Sequence, residues 1–291
     1  KEKNWRHHRV MTHGAVIFAL NNGGIDYVKL AVFAAERVRK YLQVPVSIIT
    51  DSPDWLQESC PNHCFDKIIV LQDDTGSQKD FHDGTLASKK FNWKNLSRNR
   101  IYDLTPYDKT LVLDSDYIIN SSILKSAFDR DADFQIYQHS FDIAGWRDKK
   151  PFTRLNSYSI PFYWATVFVF EKNTISQAFF DLISYIKENW QYFRMLYNID
   201  SMAFRNDFAF SIAIHIMNGK SNGGFATELP GTMSYVLDKD ILLDINNDKM
   251  KFLVEKQSYF GEYTLAKTTG LDVHVMNKFS LSRFIEGGIG V

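Results

Sequence analysis

Asp114-Ser115-Asp116 sets two carboxylates one residue apart, directly after the apolar run Thr110 to Leu113. If the chain leaves a strand and turns there, both can reach one divalent cation. Hard ions such as Mg²⁺ or Mn²⁺ take oxygen ligands and keep positions open for further oxygens. The pattern alone is weak, because 25 Asp among 291 residues predict about two such matches by chance. Four occur, at Asp114/Asp116, Asp129/Asp131, Asp131/Asp133 and Asp238/Asp240. Only the first closes an apolar strand, where α/β sheets place their ligand sites. The others lie among polar residues and read as solvated loops or helix ends.

Three other segments offer chemistry. Lys89, Lys90, Lys94, Arg98 and Arg100 form the dense basic stretch. A helix over Trp93 to Leu104 would put Lys94 and Arg98 on one face, ready for an anion or simply solvated. Asp207 precedes the apolar run Phe208 to Met217, where a carboxylate caps free N–H groups or, within reach of a hydroxyl, acts as a base. Cys60-Pro61-Asn62-His63-Cys64 has metal-ligand types but no second Cys/His cluster to complete a closed zinc site, so it reads as two reduced thiols in a surface loop.

The elements that must position these residues follow from hydrophobic spacing. Ala15 to Leu20 is a buried strand that ends in the tight turn Asn21-Asn22-Gly23-Gly24. Tyr27, Leu30, Ala31, Ala34, Val38 and Leu42 recur at helical spacing. Val44 to Thr50 and Ile68 to Leu71 are further strands, so strand, helix and strand alternate as in a parallel sheet. Residues 72–92, with Asp73-Asp74, read as a mobile loop. Strands are expected at Thr110 to Leu113, Ala132 to Tyr137 and Tyr163 to Phe170. One long helix is expected from Ile175 to Phe193, and a buried one from Phe208 to Met217. Residues 220–291 read as an irregular extension with strand-like pieces at Met233 to Leu237 and Met250 to Val254, and a loose tail from Gly287 to Gly290.

Composition bounds the function. Lys plus Arg and Asp plus Glu both number 34, which gives no support to bulk electrostatic binding of nucleic acid or anionic membrane. No apolar run reaches the length of a bilayer span. Two cysteines indicate no disulfide framework, and the expected location is cytoplasmic. The expected organisation is one compact domain over residues 1–291, with 220–291 its C-terminal extension. Residues 1–13 would be a disordered leader, with Met11 an alternative native start.

A family resemblance rests on three segments. Val16-Ile17-Phe18-Ala19-Leu20-Asn21-Asn22, a helix, then Val46-Ser47-Ile48-Ile49-Thr50-Asp51 resemble the opening of a GT-A type glycosyltransferase. Tyr107 to Asp116 resembles that fold's metal-binding segment. His274-Val275-Met276-Asn277-Lys278 is similar to the His-x-x-Gly-x-x-Lys segment of the glycogenin-like family 8, although His and Lys are four apart here instead of six. The overall look is nearest to uncharacterised phage-type members. The resemblance implies an α/β, Rossmann-like nucleotide-binding sheet flanked by helices, and transfer of a sugar from a UDP- or GDP-linked donor with Mn²⁺ or Mg²⁺.

It also implies roles. Asp116, Asp114 and His274 would hold the metal, with Asp114 and Ser115 also near the donor. Lys278 would reach the diphosphate, alongside Lys94 or Arg98. Ala19, Leu20, Asn21 and Asn22 would hold the nucleoside, with Asp51 on the base. Trp164, Ala165 and Thr166 would line the sugar pocket, and Asp207 would meet the acceptor. That acceptor could be a glycan, a protein or a modified DNA base. Competing readings are a non-catalytic glycan- or partner-binding module and a sugar-nucleotide nucleotidyltransferase. The latter usually has basic residues after the first strand, which Asn21-Asn22-Gly23-Gly24 lacks.

Overall fold

The computed structural model describes residues 11–288 apart from 73–75, 95, 148–151, 157–158, 222 and 257–260. Residues 1–10 of the leader expected over 1–13, the Asp73-Asp74 pair and the tail beyond Gly288 therefore lie outside the described residues, whereas Thr12 bonds Asp108 and His13 opens the first strand. The chain opens with β1 (His13–Ala19), α1 (Tyr27–Tyr41), β2 (Val46–Thr50), α2 (Pro53–Ser59) and β3 (Lys67–Val70). A hairpin of β4 (Ser77–His82) and β5 (Ser88–Trp93) follows, then a 3₁₀ turn at Arg98–Arg100 and the short α3 (Ile101–Leu104). Next come β6 (Lys109–Asp114), β7 (Tyr117–Ile118), β8 (Phe134–Tyr137), β9 (Ser140–Asp142) and β10 (Trp164–Glu171). Helices α4 (Thr174–Glu188), α5 (Trp190–Leu196) and α6 (Asn206–Met217) lead to β11 (Ala226–Thr227) and β12 (Met233–Val236). The chain closes with β13 (Ile241–Asn246), β14 (Lys249–Glu255), β15 (Tyr263–Thr269), β16 (Val273–Val275) and α7 (Lys278–Gly288).

The centre is a seven-stranded sheet in the order β11-β8-β10-β6-β1-β2-β3. β1 pairs in parallel with β2 and β6, while β10 runs antiparallel to β6 and β8. Alternation divides the core. Ala15, Ile17, Leu111 and Leu113 face α1 through Ala31, Ala34 and Val38. Val16, Phe18, Val112 and Phe168 face α4 and α6 through Phe179, Ile183 and Phe210. Strands covered on both faces read as continuous apolar runs, which is why β1, β2, β6 and β10 are so plain in the sequence. The result is an α/β protein with a parallel-rich central sheet flanked by helices, as expected. A four-stranded sheet in the order β7-β16-β12-β9 lies beside it, and β13, β14 and β15 form a separate three-stranded meander.

Four expectations need correction. Residues 77–93 are a hairpin rather than a loop, with Phe81 facing inward. The helix expected over Trp93 to Leu104 is instead a strand end, a 3₁₀ turn and one α turn, so Lys94 and Arg98 share no helical face. The long helix after Ile175 breaks at Asn189, which ends α4 and starts α5. Residues 226–288 hold five strands of the two smaller sheets and a capped helix, and Gly287 lies within that helix.

Candidate functional site

β6 is buried along Lys109 to Leu113 and turns as soon as it reaches Asp114, so Ser115 and Asp116 sit in the turn before β7. β16 is brought here by antiparallel pairing that sets His274 opposite Tyr117, and the Val275 N–H donates to the Asp116 carbonyl at 2.9 Å. Asn277 then caps α7, its Oδ1 accepting from the Ser280 N–H, which places Lys278 at the first helical position. Two distant stretches of chain thus meet at Asp116.

Asp116 is 2% exposed. Its Oδ2 accepts from Lys278 Nζ at 2.5 Å and lies 3.4 Å from His274 Nε2. Burial alone would raise the Asp116 pKa; the Lys278 ammonium and His274 overcome it and hold the carboxylate well below its usual range. Lys278 is the mirror case: burial would lower its pKa, and Asp116 raises it instead. Asp114, Asp116 and His274 each offer a ligand atom, all within 4.8 Å of one another, the one such metal-capable group among the described residues.

Arg98 fixes the neighbouring carboxylate. Its guanidinium is buried, donates to Asp114 and to the Ala165 carbonyl, and lies over the Phe18 ring. Burial brings its pKa down to about 10 against the pull of Asp207 and Asp116, so it stays charged. Asp207, in the first turn of α6, accepts the Ala165 N–H at 3.0 Å and pairs with Arg205 at 3.0 Å. Ala165 is therefore gripped at its carbonyl by Arg98 and at its N–H by Asp207, at the point where β10 shifts register. Asp207 does not make the expected helix cap; its carboxylate reaches across to the strand.

Around the first turn, Asn22 Oδ1 accepts from the Gly24 and Ile25 N–H groups. The Asn21 N–H donates to Asp51 Oδ1 at 3.0 Å, and Lys94 pairs with Asp51 Oδ2 at 2.8 Å. Lys94 leads from this turn to a cleft of about 470 Å³. Leu20, Lys94, Arg98, Asp114, Ser115, Asp116, Asp207, His274 and Lys278 line its wall, as do Trp164 and Thr166. Ala19, Asn21, Asn22, Asp51 and Ala165, expected at the site, are not among the residues that line the cleft. Asp240, read as solvated, is fully buried and receives two 2.7 Å bonds from Arg147, while Asp238 lines the cleft.

Sequence reasoning missed the roof. β4 contributes Ser77 to His82 to the cleft, and β5 contributes Trp93. The signal available was faint: Phe81, Phe91 and Trp93 alternate with polar residues on two short strands.

No protein-family model and no curated protein matches the chain. Solved structures do match. One is the glycosyltransferase GlyE of Streptococcus pneumoniae TIGR4, with TM-score 0.42 and 13% identity over 75% of this chain and 45% of that one. The chain thus spans less than half the length of GlyE. Another is the galactosyltransferase LgtC in complex with donor and acceptor sugar analogues, with TM-score 0.45 and 14% identity over 74% of this chain and 72% of that one. An active-site mutant of LgtC matches at 12% identity with TM-score 0.45, over the same shares. Among the described residues no helix is long and apolar enough to cross a membrane.

Proposed function

We propose that this chain is a GT-A type glycosyltransferase, moving a sugar from a UDP- or GDP-linked donor to an acceptor hydroxyl. One observation carries the reading: the acidic turn at the end of a buried strand meets an imidazole and a lysine inside a cleft. The two carboxylates suit Mn²⁺ or Mg²⁺, and the added imidazole nitrogen favours Mn²⁺, the softer of the two. The ammonium of Lys278 at the Asp116 oxygen supports the same assignment, since that oxygen already attracts a cation. Asp114, Asp116 and His274 would hold the ion, and it would supply charge neutralisation for a departing nucleotide diphosphate.

The chain's own groups do the rest. Lys278 stands beside that centre to receive phosphoryl oxygens. Arg98 orients Asp114 and holds β10 against it, a positioning role that replaces the phosphate contact expected for it. Lys94 is likewise engaged by Asp51, and the pair secures the Asn21 turn beside the nucleoside position. Asp207 borders the cleft from the start of α6, on the side we assign to the acceptor. Residues 220–291 belong to the same catalytic unit, because they carry His274 and Lys278.

The test is nucleoside-diphosphate release from a panel of UDP- and GDP-sugars, with Mn²⁺, Mg²⁺ or chelator. Wild type should turn over one donor in a metal-dependent way. Asp116→Asn should lose nearly all activity while its circular dichroism is unchanged. Equal turnover by both proteins would overturn the proposal.

A further inference from the structure

Five Lys and Arg side chains line the cleft, at Lys79, Lys94, Arg98, Arg205 and Lys278. Four are answered by carboxylates: Lys94 by Asp51, Arg98 by Asp114, Arg205 by Asp207 and Lys278 by Asp116. Lys79 makes no ion pair among the described residues. Its Nζ lies 5.2 Å from the Trp93 ring centre and 5.5 Å from that of Phe81. Aromatic faces steer an ammonium without neutralising it.

Lys79 is open to the solvent of the cleft, yet enough protein surrounds its ammonium to matter. Desolvation first, then the like charges of Lys278 and Arg205, push its pKa down to about 8 against the smaller pull of Asp238 and Asp116. A cation held among other cations at that cost is matched by an anion arriving between them.

The element that presents it is braced. Asp83, at the hairpin's turn, accepts from Arg283 at 2.6 and 2.8 Å and from Asn277 at 3.4 Å. The Phe91 ring presses on Gly24 so closely that a Cβ there would fall 2.2 Å from it. The hairpin is therefore a fastened roof, tied to the same α7 segment that brings Lys278.

We propose that Lys79 is a phosphoryl-binding residue, meeting the donor's diphosphate from the roof while Lys278 meets it from the floor. This rests on the donor reading above. Phosphoryl oxygens could instead belong to an anionic acceptor, so the probes must separate the two sources. Calorimetric titration of inorganic pyrophosphate, UDP, GDP and a sugar monophosphate, with Mn²⁺ present, would be run on wild type, Lys79→Ala and Lys79→Arg. Lys79→Ala should weaken pyrophosphate roughly tenfold, as for loss of a charge-assisted contact, with a like loss for the bound nucleotide, and Lys79→Arg should restore most of it. Equal pyrophosphate affinity in wild type and Lys79→Ala, or a loss confined to the sugar monophosphate, would overturn the assignment, as would no pyrophosphate binding by wild type. Lys79-dependent pyrophosphate binding without UDP or GDP binding would uphold Lys79 and sink the donor reading.

Discussion

The floor and the roof of the cleft treat charge in opposite ways. On the floor, Arg98 answers Asp114, Lys278 answers Asp116, and Asp207 answers Arg205 while gripping Ala165. On the roof, Lys79 has aromatic rings beside it and makes no direct ion pair among the described residues. Buried ion pairs add little net stability, but removing one partner strands the other. The floor's charges therefore set geometry, and the roof's charge is left for a ligand.

The largest effect should come from breaking the floor. Arg98→Ala would take the buried guanidinium from Asp114 and release Ala165, lowering unfolding free energy by about 3–5 kcal/mol. Lys79→Ala should stay within about 0.5 kcal/mol of wild type. Urea denaturation of both checks this, and similar losses would erase the distinction between the two surfaces. Next in size, Gly24→Ala should cost about 1–3 kcal/mol by pushing Phe91, and should weaken pyrophosphate by shifting the roof. A thermal melt paired with a pyrophosphate titration reads both effects.

Lys278→Ala sharpens the comparison through opposite signs. Without the ammonium competing at Asp116, Mn²⁺ should bind more tightly, while pyrophosphate binds less tightly, each by roughly tenfold. Manganese resonance titration reads the first, and a loss of both affinities would mark Lys278 as merely structural. The smallest effect is a pH dependence. The protonated form of Lys79 binds the anion, so wild-type affinity should fall as pH rises through about 8. Lys79→Arg should remove that component, and taking the difference between the two proteins cancels titration of the probe. Lys278, Arg205, Asp238 and Asp116 face Lys79; Lys278 is held above its usual pKa and Asp116 below, so neither titrates there.

The sheet was legible because strands buried on both sides are written as unbroken apolar runs. The Asp114-Ser115-Asp116 turn was legible because it interrupts one of them. His274 and Lys278 were visible only through resemblance, since nothing local ties a short strand to a turn far upstream. The hairpin was hidden because Ser77 to His82 and Ser88 to Trp93 are mostly polar, and Phe91 packs on Phe279 of α7 and on Gly24, both distant in sequence. In the meander only β14 was legible, as the strand-like piece at Met250 to Val254, while β13 and β15 were hidden. A local mark is Asn247, whose φ of 54° turns β13 into β14, a left-handed conformation that Asn tolerates better than most residues.

Asp116 and Lys278 are 162 positions apart, so a growing chain carries its acidic turn long before it carries the groups that complete it. A fragment still on the ribosome, ending short of Val273, would own two carboxylates and no imidazole or lysine to go with them. Contacts of such long range close late in folding. Cation capture should therefore appear with the slowest refolding phase, and incomplete copies should be inert.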